Sequence, residues 1–192
     1  MKKLNALVLV TVAFISLATT AYAVPVEWAV VDGGNGHYYD MLNSPGIKWP
    51  DAFNAAQSLT FLGVQGNLAT LTSDGENDFV FTYFLENTGI DSVHIGGWQA
   101  PGNDPAVGWN WVTGEAWDYT NWGVAQPSDT DGDEDRLTMW AGGLNAGHWN
   151  DISQYNGSPG NYGYIVEYAV PEPAILSLLA LGALLIRRIR SE

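Results

Sequence analysis

The chain has 192 residues, no cysteine, nine tryptophans, nine tyrosines and a formal charge of −14. A field of that sign repels nucleic acid and anionic membrane surfaces and favours cations. Without cysteine no disulfide staples the fold, so stability has to come from elsewhere: a large aromatic core, for which the length is ample, and a bound cation acting by mass action on the folded state.

The first 23 residues carry Lys2 and Lys3, an apolar stretch from Leu4 to Ala18 and the small-residue exit Ala21-Tyr22-Ala23. That order predicts a secretory signal peptide over 1–23 and a mature chain from Val24. A retained amino-terminal anchor is the alternative. From 24 to 173 only Lys48 and Arg136 are basic, against 20 acidic residues, a charge of −18 with histidines neutral. Dispersed acids suit solubility or salty surroundings. The run Asp129 to Asp135 does not, because five acids in seven residues repel one another unless something positive sits among them.

The alternation Val26, Trp28, Val30 predicts a first strand, broken at Asp32-Gly33-Gly34-Asn35-Gly36. Pro50 suits the first turn of a helix whose apolar positions Ala52, Phe53, Ala56 and Leu59 recur at helical spacing. A second helix is expected from Ser73, with Ser73 as cap, Glu76 three residues on and an apolar face of Phe79, Val80, Tyr83 and Phe84. From His94 onward, short apolar runs alternate with Gly, Pro and Asn, the pattern of short strands and long loops, and a long irregular region in a compact domain is usually functional. The order strand, helix, helix, then strands and loops makes the fold class α+β, with one domain over 24–169.

The last segment, 170–192, has Val170-Pro171-Glu172-Pro173, an apolar run from Ala174 to Ile186, and Arg187-Arg188-Ile189-Arg190. The run has 13 residues, short of the roughly 17–25 of a stable spanning helix. It resembles the PEP-CTERM sorting signal of bacterial envelope proteins, which implies processing by a membrane-embedded enzyme of the exosortase type; a plain tail anchor is the alternative. Either way the domain is expected to be exported, at the envelope or outside the cell, with transient membrane attachment through its tail.

The segment most informative about function is Gln126-Pro127-Ser128-Asp129-Thr130-Asp131-Gly132-Asp133-Glu134-Asp135, followed by Gly147-His148-Trp149-Asn150-Asp151. It gathers carboxylates and amides, the oxygen donors that a hard cation such as Ca2+ takes. With Gly36-His37-Tyr38-Tyr39, Trp49-Pro50-Asp51-Ala52, Gly66-Asn67-Leu68-Ala69, His94-Ile95-Gly96-Gly97, Trp109-Asn110-Trp111 and Tyr119-Thr120-Asn121-Trp122 in order, residues 36–168 resemble the C-type lectin domain. The family's Glu-Pro-Asn or Gln-Pro-Asp triplet, acidic pair and Trp-Asn-Asp correspond to Gln126-Pro127-Ser128, Glu134-Asp135 and Trp149-Asn150-Asp151. The resemblance implies two helices, small antiparallel sheets and a long loop region.

It also implies a calcium ion that holds a carbohydrate through vicinal hydroxyls, on Gln126, Ser128, Glu134, Asn150 and Asp151. Ser128 departs from the family because a hydroxyl is a weaker ligand than an amide or carboxylate; with a one-residue insertion Asp129 takes its place, and this is the slightly preferred reading. Sugar contacts are expected from Gln126, Glu134, His148, Asn150 and Asp151. Asp131, Asp133 and Asp135 are candidates for an auxiliary ion, with Gln99 where the family carries an upstream acid. The Gln126-Pro127 bond is cis in the family, and the sequence leaves the isomer open. A glutamine-first triplet leans towards galactose, although Thr130 to Asp133 include no aromatic residue.

An EF-hand is excluded, since Glu134 stands where its glycine should be and Trp140 where its glutamate should be. Trp109, Trp111, Trp122, Trp140 and Trp149 are expected in the core rather than as sugar platforms. His37, His94 and His148 lack zinc spacing. No activated serine or cysteine constellation occurs, and paired acids arise in any acidic chain, so catalysis is not expected. The expected function is an exported lectin; its rival is a lectin-like module for protein contact or matrix structure. Asp91 lies outside every motif and is expected to tolerate alanine.

Overall fold

The computed structural model describes residues 24–102, 104–155 and 160–171, without the side chain of Asp131. The expected signal peptide and all of the sorting tail beyond Pro171 lie outside the described residues. Ten strands and two helices follow in the order β1 (Val26–Glu27), β2 (Tyr38–Asn43), α1 (Trp49–Ser58), β3 (Thr60–Phe61), β4 (Val64–Gln65), β5 (Asn67–Leu68), α2 (Asp74–Val80), β6 (Ser92–Trp98), β7 (Asn110–Trp111), β8 (Arg136–Trp140), β9 (Trp149–Ile152) and β10 (Tyr162–Tyr168).

The α+β class stands, but the sheet arrangement is richer than small antiparallel pieces. One sheet runs β1-β2-β10-β6-β8-β9, with β5 also paired to β10 and β7 to β6, and β10 lies parallel to β6. The separate β3-β4 hairpin is the small antiparallel sheet. In β6, Gly96 and Gly97 let neighbouring chains close in: a Cβ on Gly96 would stand 2.7 Å from Leu68 O, and one on Gly97 2.5 Å from Leu137 Cδ2. The strand expected over Val26, Trp28 and Val30 shrinks to two residues. Val30 instead starts a 3-10 turn closed by Gly33 at φ 87°, and the long strand comes after the glycine-rich break.

Helix α1 starts with Pro50 in its first turn, where a missing N–H costs nothing, and turns Ala52 and Ala56 onto Leu68, Tyr164 and Val166. Trp49 fixes it to the sheet by donating its indole N–H to Ile95 O at 2.8 Å. Ser73 caps α2 as the sequence predicts, its Oγ accepting from Glu76 N at 3.2 Å. The apolar face of α2 differs from the expected one. After Val80 the chain widens into a π-helical turn, closed by Glu86 N donating to Phe81 O at 3.0 Å. The extra residue rotates Tyr83 outward, 60% exposed, and brings Leu85 into the core.

A buried polar network lies beneath α2. Glu76 accepts from Tyr39 Oη at 2.5 Å, Asn35 Nδ2 at 2.9 Å and Thr72 N at 2.8 Å. Glu167 of β10 takes the Thr70 N–H at 2.8 Å and pairs with His37 Nδ1 at 2.6 Å. Burial pushes the Glu76 carboxyl above the usual range, helped by the charge of Glu167. His37 is raised, chiefly by its hydrogen bond to Glu167 and against its own burial. His94 is buried, donating its Nε2–H to Ile47 O at 3.0 Å, and burial lowers it to about 4, so it stays neutral and structural.

The chain enters and leaves the fold side by side. Tyr38 pairs with Glu27 of β1 on one side and Tyr168 of β10 on the other, and Val24, Pro25 and Tyr168 line one cavity of about 280 Å3. Asp91 is not inert: its Oδ2 accepts Asn161 N at 2.7 Å and its carbonyl accepts Ala141 N at 3.0 Å. Asp91→Ala should therefore cost about 0.5–1.5 kcal/mol.

Two outcomes follow. Because the folded chain holds the His37 proton more tightly than an unfolded one, its stabilisation is complete below about pH 6.5 and is lost as pH rises through the raised folded value. Melting temperature in EDTA should fall as pH rises above about 6.5 through the raised His37 value, and His37→Gln should flatten that slope. Since β10 ends at Tyr168, removal of 171–192 should leave the circular dichroism spectrum of the domain unchanged.

Candidate functional site

The β8-β9 pair carries the site. Its register sets Leu137 opposite Asp151, Thr138 opposite Asn150 and Met139 opposite Trp149. Strand alternation points Trp149 and Asp151 inward and leaves Asn150 and Ile152 half-buried on the other face. Trp149 is 0% exposed, donates its indole N–H to Asn77 Oδ1 at 2.8 Å, and is ringed by Trp111, Trp117, Tyr119 and Trp122 with centroids 5.5–6.0 Å away. Trp109, Trp111 and Trp149 are core residues as expected and Trp122 is packed against them, whereas Trp140 is only half-buried and belongs to neither core cluster.

Across from Asp151 the chain turns through a cis Gln126-Pro127 bond. Asp151, itself 0% exposed, accepts Ser128 N on Oδ1 at 3.0 Å and Asp129 N on Oδ2 at 2.7 Å. Glu134 folds back over the same turn, its Oε2 accepting Thr130 N at 2.7 Å and Ser128 Oγ at 3.0 Å. Burial raises the Glu134 carboxyl above the ordinary range, and the nearby Asp151 charge pushes the same way. Asp129, left-handed at φ 43°, accepts Glu134 N on Oδ1 at 3.0 Å. Of the two third-position alternatives, the Ser128 hydroxyl thus touches Glu134, while the Asp129 carboxylate is turned to a loop amide.

Gln126 Oε1 is buried and has no hydrogen-bond partner among the described residues, an acceptor left over at the turn. Asn150 donates Nδ2 to Asp151 O at 2.7 Å, which leaves its Oδ1 as a further acceptor. His148 is exposed at the rim, with Nδ1 3.2 Å from Ala146 O. Ser128, Asp129, Glu134 and Asp151 are therefore brought into one hydrogen-bonded group, with Gln126 two residues before it and Asn150 beside it on β9.

Asp133 and Asp135, two of the candidate auxiliary ligands, are not gathered in the same way. Asp133 Oδ2 accepts Ser153 Oγ at 2.8 Å. Asp135 is buried with Arg136, whose Nη1 stands 3.0 Å from Asp135 Oδ1 in a pairing of charge rather than hydrogen-bond geometry. Burial raises the Asp135 carboxyl against the pull of Arg136, and burial likewise lowers the guanidinium. Among the described residues no three Asp, Glu or His side chains form a metal cluster. An ion at the turn would need the amide oxygens of Gln126 and Asn150 beside the carboxylates of Glu134 and Asp151. That all-oxygen set, with one acceptor orphaned, fits calcium chemistry.

Thr130, Ser153 and Arg136 were missed by sequence reasoning. Thr130 and Ser153 carry no signal beyond their loop position. Arg136 carried one, as one of two cations in a strongly acidic stretch and the neighbour of the acidic run.

Solved structures similar in fold include the C-type lectin CEL-I from Cucumaria echinata (23% identity, TM-score 0.57, covering 68% of this chain and 89% of that one) and the cow C-type carbohydrate-recognition domain of CD23 (23% identity, TM-score 0.54, covering 70% and 89%). The chain has the C-type lectin-like fold. SPL-1 in its GlcNAc complex matches at 20% identity and a TM-score of 0.56, covering 72% of this chain and 90% of that one. No family model matches the chain. In sequence it is 31% identical over 118 residues to a lectin of Pleurodeles waltl, covering 61% of this chain and 63% of that protein. It is 27% identical over 164 residues to halomucin of Haloquadratum walsbyi, covering 76% of this chain and 2% of halomucin. The chain thus spans less than two thirds of either relative.

Asp151→Ala removes the acceptor of two loop N–H bonds at a fully buried position. It should cost about 3 kcal/mol, or roughly 6–12 °C in melting temperature, measured in EDTA so that no ion contributes.

Proposed function

We propose that this protein is a non-enzymatic, calcium-dependent carbohydrate-binding domain, exported and displayed at the bacterial envelope or in extracellular polymer. The observation that carries this reading is the pairing of Glu134 and Asp151 around one turn with the buried, unpartnered Gln126 Oε1. Two carboxylates that repel each other and an orphaned acceptor favour a cation. Gln126, Ser128, Glu134, Asn150 and Asp151 hold the ion, with Asp129 as the alternative to Ser128. Calcium takes 6–8 oxygens, so a shell only partly filled by protein leaves room for two sugar hydroxyls, and the Asn150 amide hydrogens can turn to donate to them.

Export and attachment rest on the amino-terminal signal and on the carboxyl-terminal Pro-Glu-Pro, apolar run and arginine cluster, which suit an exosortase-type partner. Galactose-type selectivity is the lean of the glutamine-first triplet.

A second reading has its own support. Asp151 and Glu134 already satisfy loop N–H groups, so the turn closes on protein bonds alone, as a module for protein contact or matrix structure requires.

A glycan array in millimolar calcium and in EDTA separates the two. Calcium-dependent binding is expected, abolished by Asn150→Ala while circular dichroism is unchanged. In calorimetry, calcium at 100 times its dissociation constant should add about 2.7 kcal/mol of stability. Equal melting temperatures in calcium and EDTA would remove the ion from the site, and glycan binding unaffected by EDTA would remove its role in recognition.

A further inference from the structure

The segment between β6 and β8, residues 99–135, carries most of the candidate ligands, and its two ends meet at one side chain. Gln99 N donates to Asp135 O at 3.1 Å, which brings the ends together. Arg136 Nη1 donates to Asp135 O at 2.7 Å and to Gln99 O at 3.3 Å, so the same guanidinium holds both carbonyls. Its Nη2 donates to Gln154 Oε1 at 2.9 Å, just beyond the strand that carries Asn150 and Asp151. The guanidinium carbon also lies 5.1 Å from the centre of the Trp49 ring, and Trp49 is stacked on Phe53 of α1. One planar group therefore reaches both ends of the loop, the exit of β9 and the first helix.

Its charge has a second consequence. Arg136 is one of two basic residues between 24 and 173, and it directly follows the five-acid run. Nη1 stands 3.0 Å from Asp135 Oδ1, so a protein cation sits at the end of the run. Lys48 is the other, and none of the described ion pairs uses it.

Resting on the lectin reading above, we propose that Arg136 is the positioning residue of the loop site: its guanidinium fastens the base of the 99–135 segment and partly neutralises the acidic run, so that the 126–135 turn is ordered before any ion binds. Arg136 touches neither ion nor sugar in this scheme. It sets the geometry in which Glu134, the residue two before it, meets Asp151. A lysine cannot replace it, because a point charge with no planar fork cannot serve Gln99 O, Asp135 O and Gln154 Oε1 together.

The test compares Arg136→Met and Arg136→Lys with the parent in two measurements. Amide hydrogen exchange in EDTA should show Gln99, Thr130 and Glu134 exchanging at least tenfold faster in Arg136→Met, with β2 and β10 protected as in the parent, and Arg136→Lys recovering less than half of the loss. Calcium titration by calorimetry should show affinity at least tenfold weaker in Arg136→Met, at the same stoichiometry.

Parental protection of the three loop amides in Arg136→Met would overturn the proposal, as would an equal loss of protection in β2 and β10, which would make Arg136 a general stabiliser. If Arg136→Met does not fold, parental loop exchange in Arg136→Lys overturns it and selective loop opening supports it. Because exchange is read without an ion, failure of the parent to bind calcium or glycan would defeat the lectin reading while leaving the Arg136 result to stand or fall on its own.

Discussion

The loop half of this protein depends on the burial of one indole. Trp149 stands next to Asn150 and Asp151 on β9, and its ring is enclosed by three tryptophans and a tyrosine from the long segment. Its N–H is taken by Asn77 of α2, whose own amide donates to Gly147 O at 3.0 Å, just before the strand. Helix, loop and strand are thereby tied at one point. A chain with no disulfide gains this from aromatic packing, where each large ring buries area and edge-to-face geometry adds of order 1 kcal/mol per pair.

With that anchor in place, the turn on the far side of Asp151 has a fixed wall to fold against. Its N–H groups satisfy Asp151 and Glu134, and the acids of the run are dealt with singly: Asp133 by Ser153, Asp135 by Arg136, Asp129 by a loop amide. Repulsion within the run is thus relieved by several local bonds and one cation rather than by a cluster that shares one centre. Of the auxiliary candidates, Asp133 and Asp135 therefore face different partners, Ser153 and Arg136.

Local signals were legible. The Ser73 cap, Pro50 at the start of α1, the glycine break before β2 and the core tryptophans follow from residue chemistry within a few positions, and the structure has them. What was not legible depends on distant partners. The parallel pairing of β10 with β6 joins segments about seventy residues apart and leaves no local pattern. The π-helical turn that exposes Tyr83 defeats a periodicity argument because it changes the period itself. In the site, the motif residues were readable, whereas the bonds of Ser128 to Glu134 and of Asp91 to Asn161 appear only once the chain is closed.

The neighbouring chain ends have a consequence for architecture. Tyr38 has the first strand on one flank and the last on the other, so the domain is attached to whatever surrounds it at a single spot. A unit hung in this way can sit within a much longer polypeptide or on a short tether, and tension applied through both ends is borne by β1, β2 and β10 rather than by the loop region. The domain is in this sense a pendant, with its loop region off the line along which a pull would act.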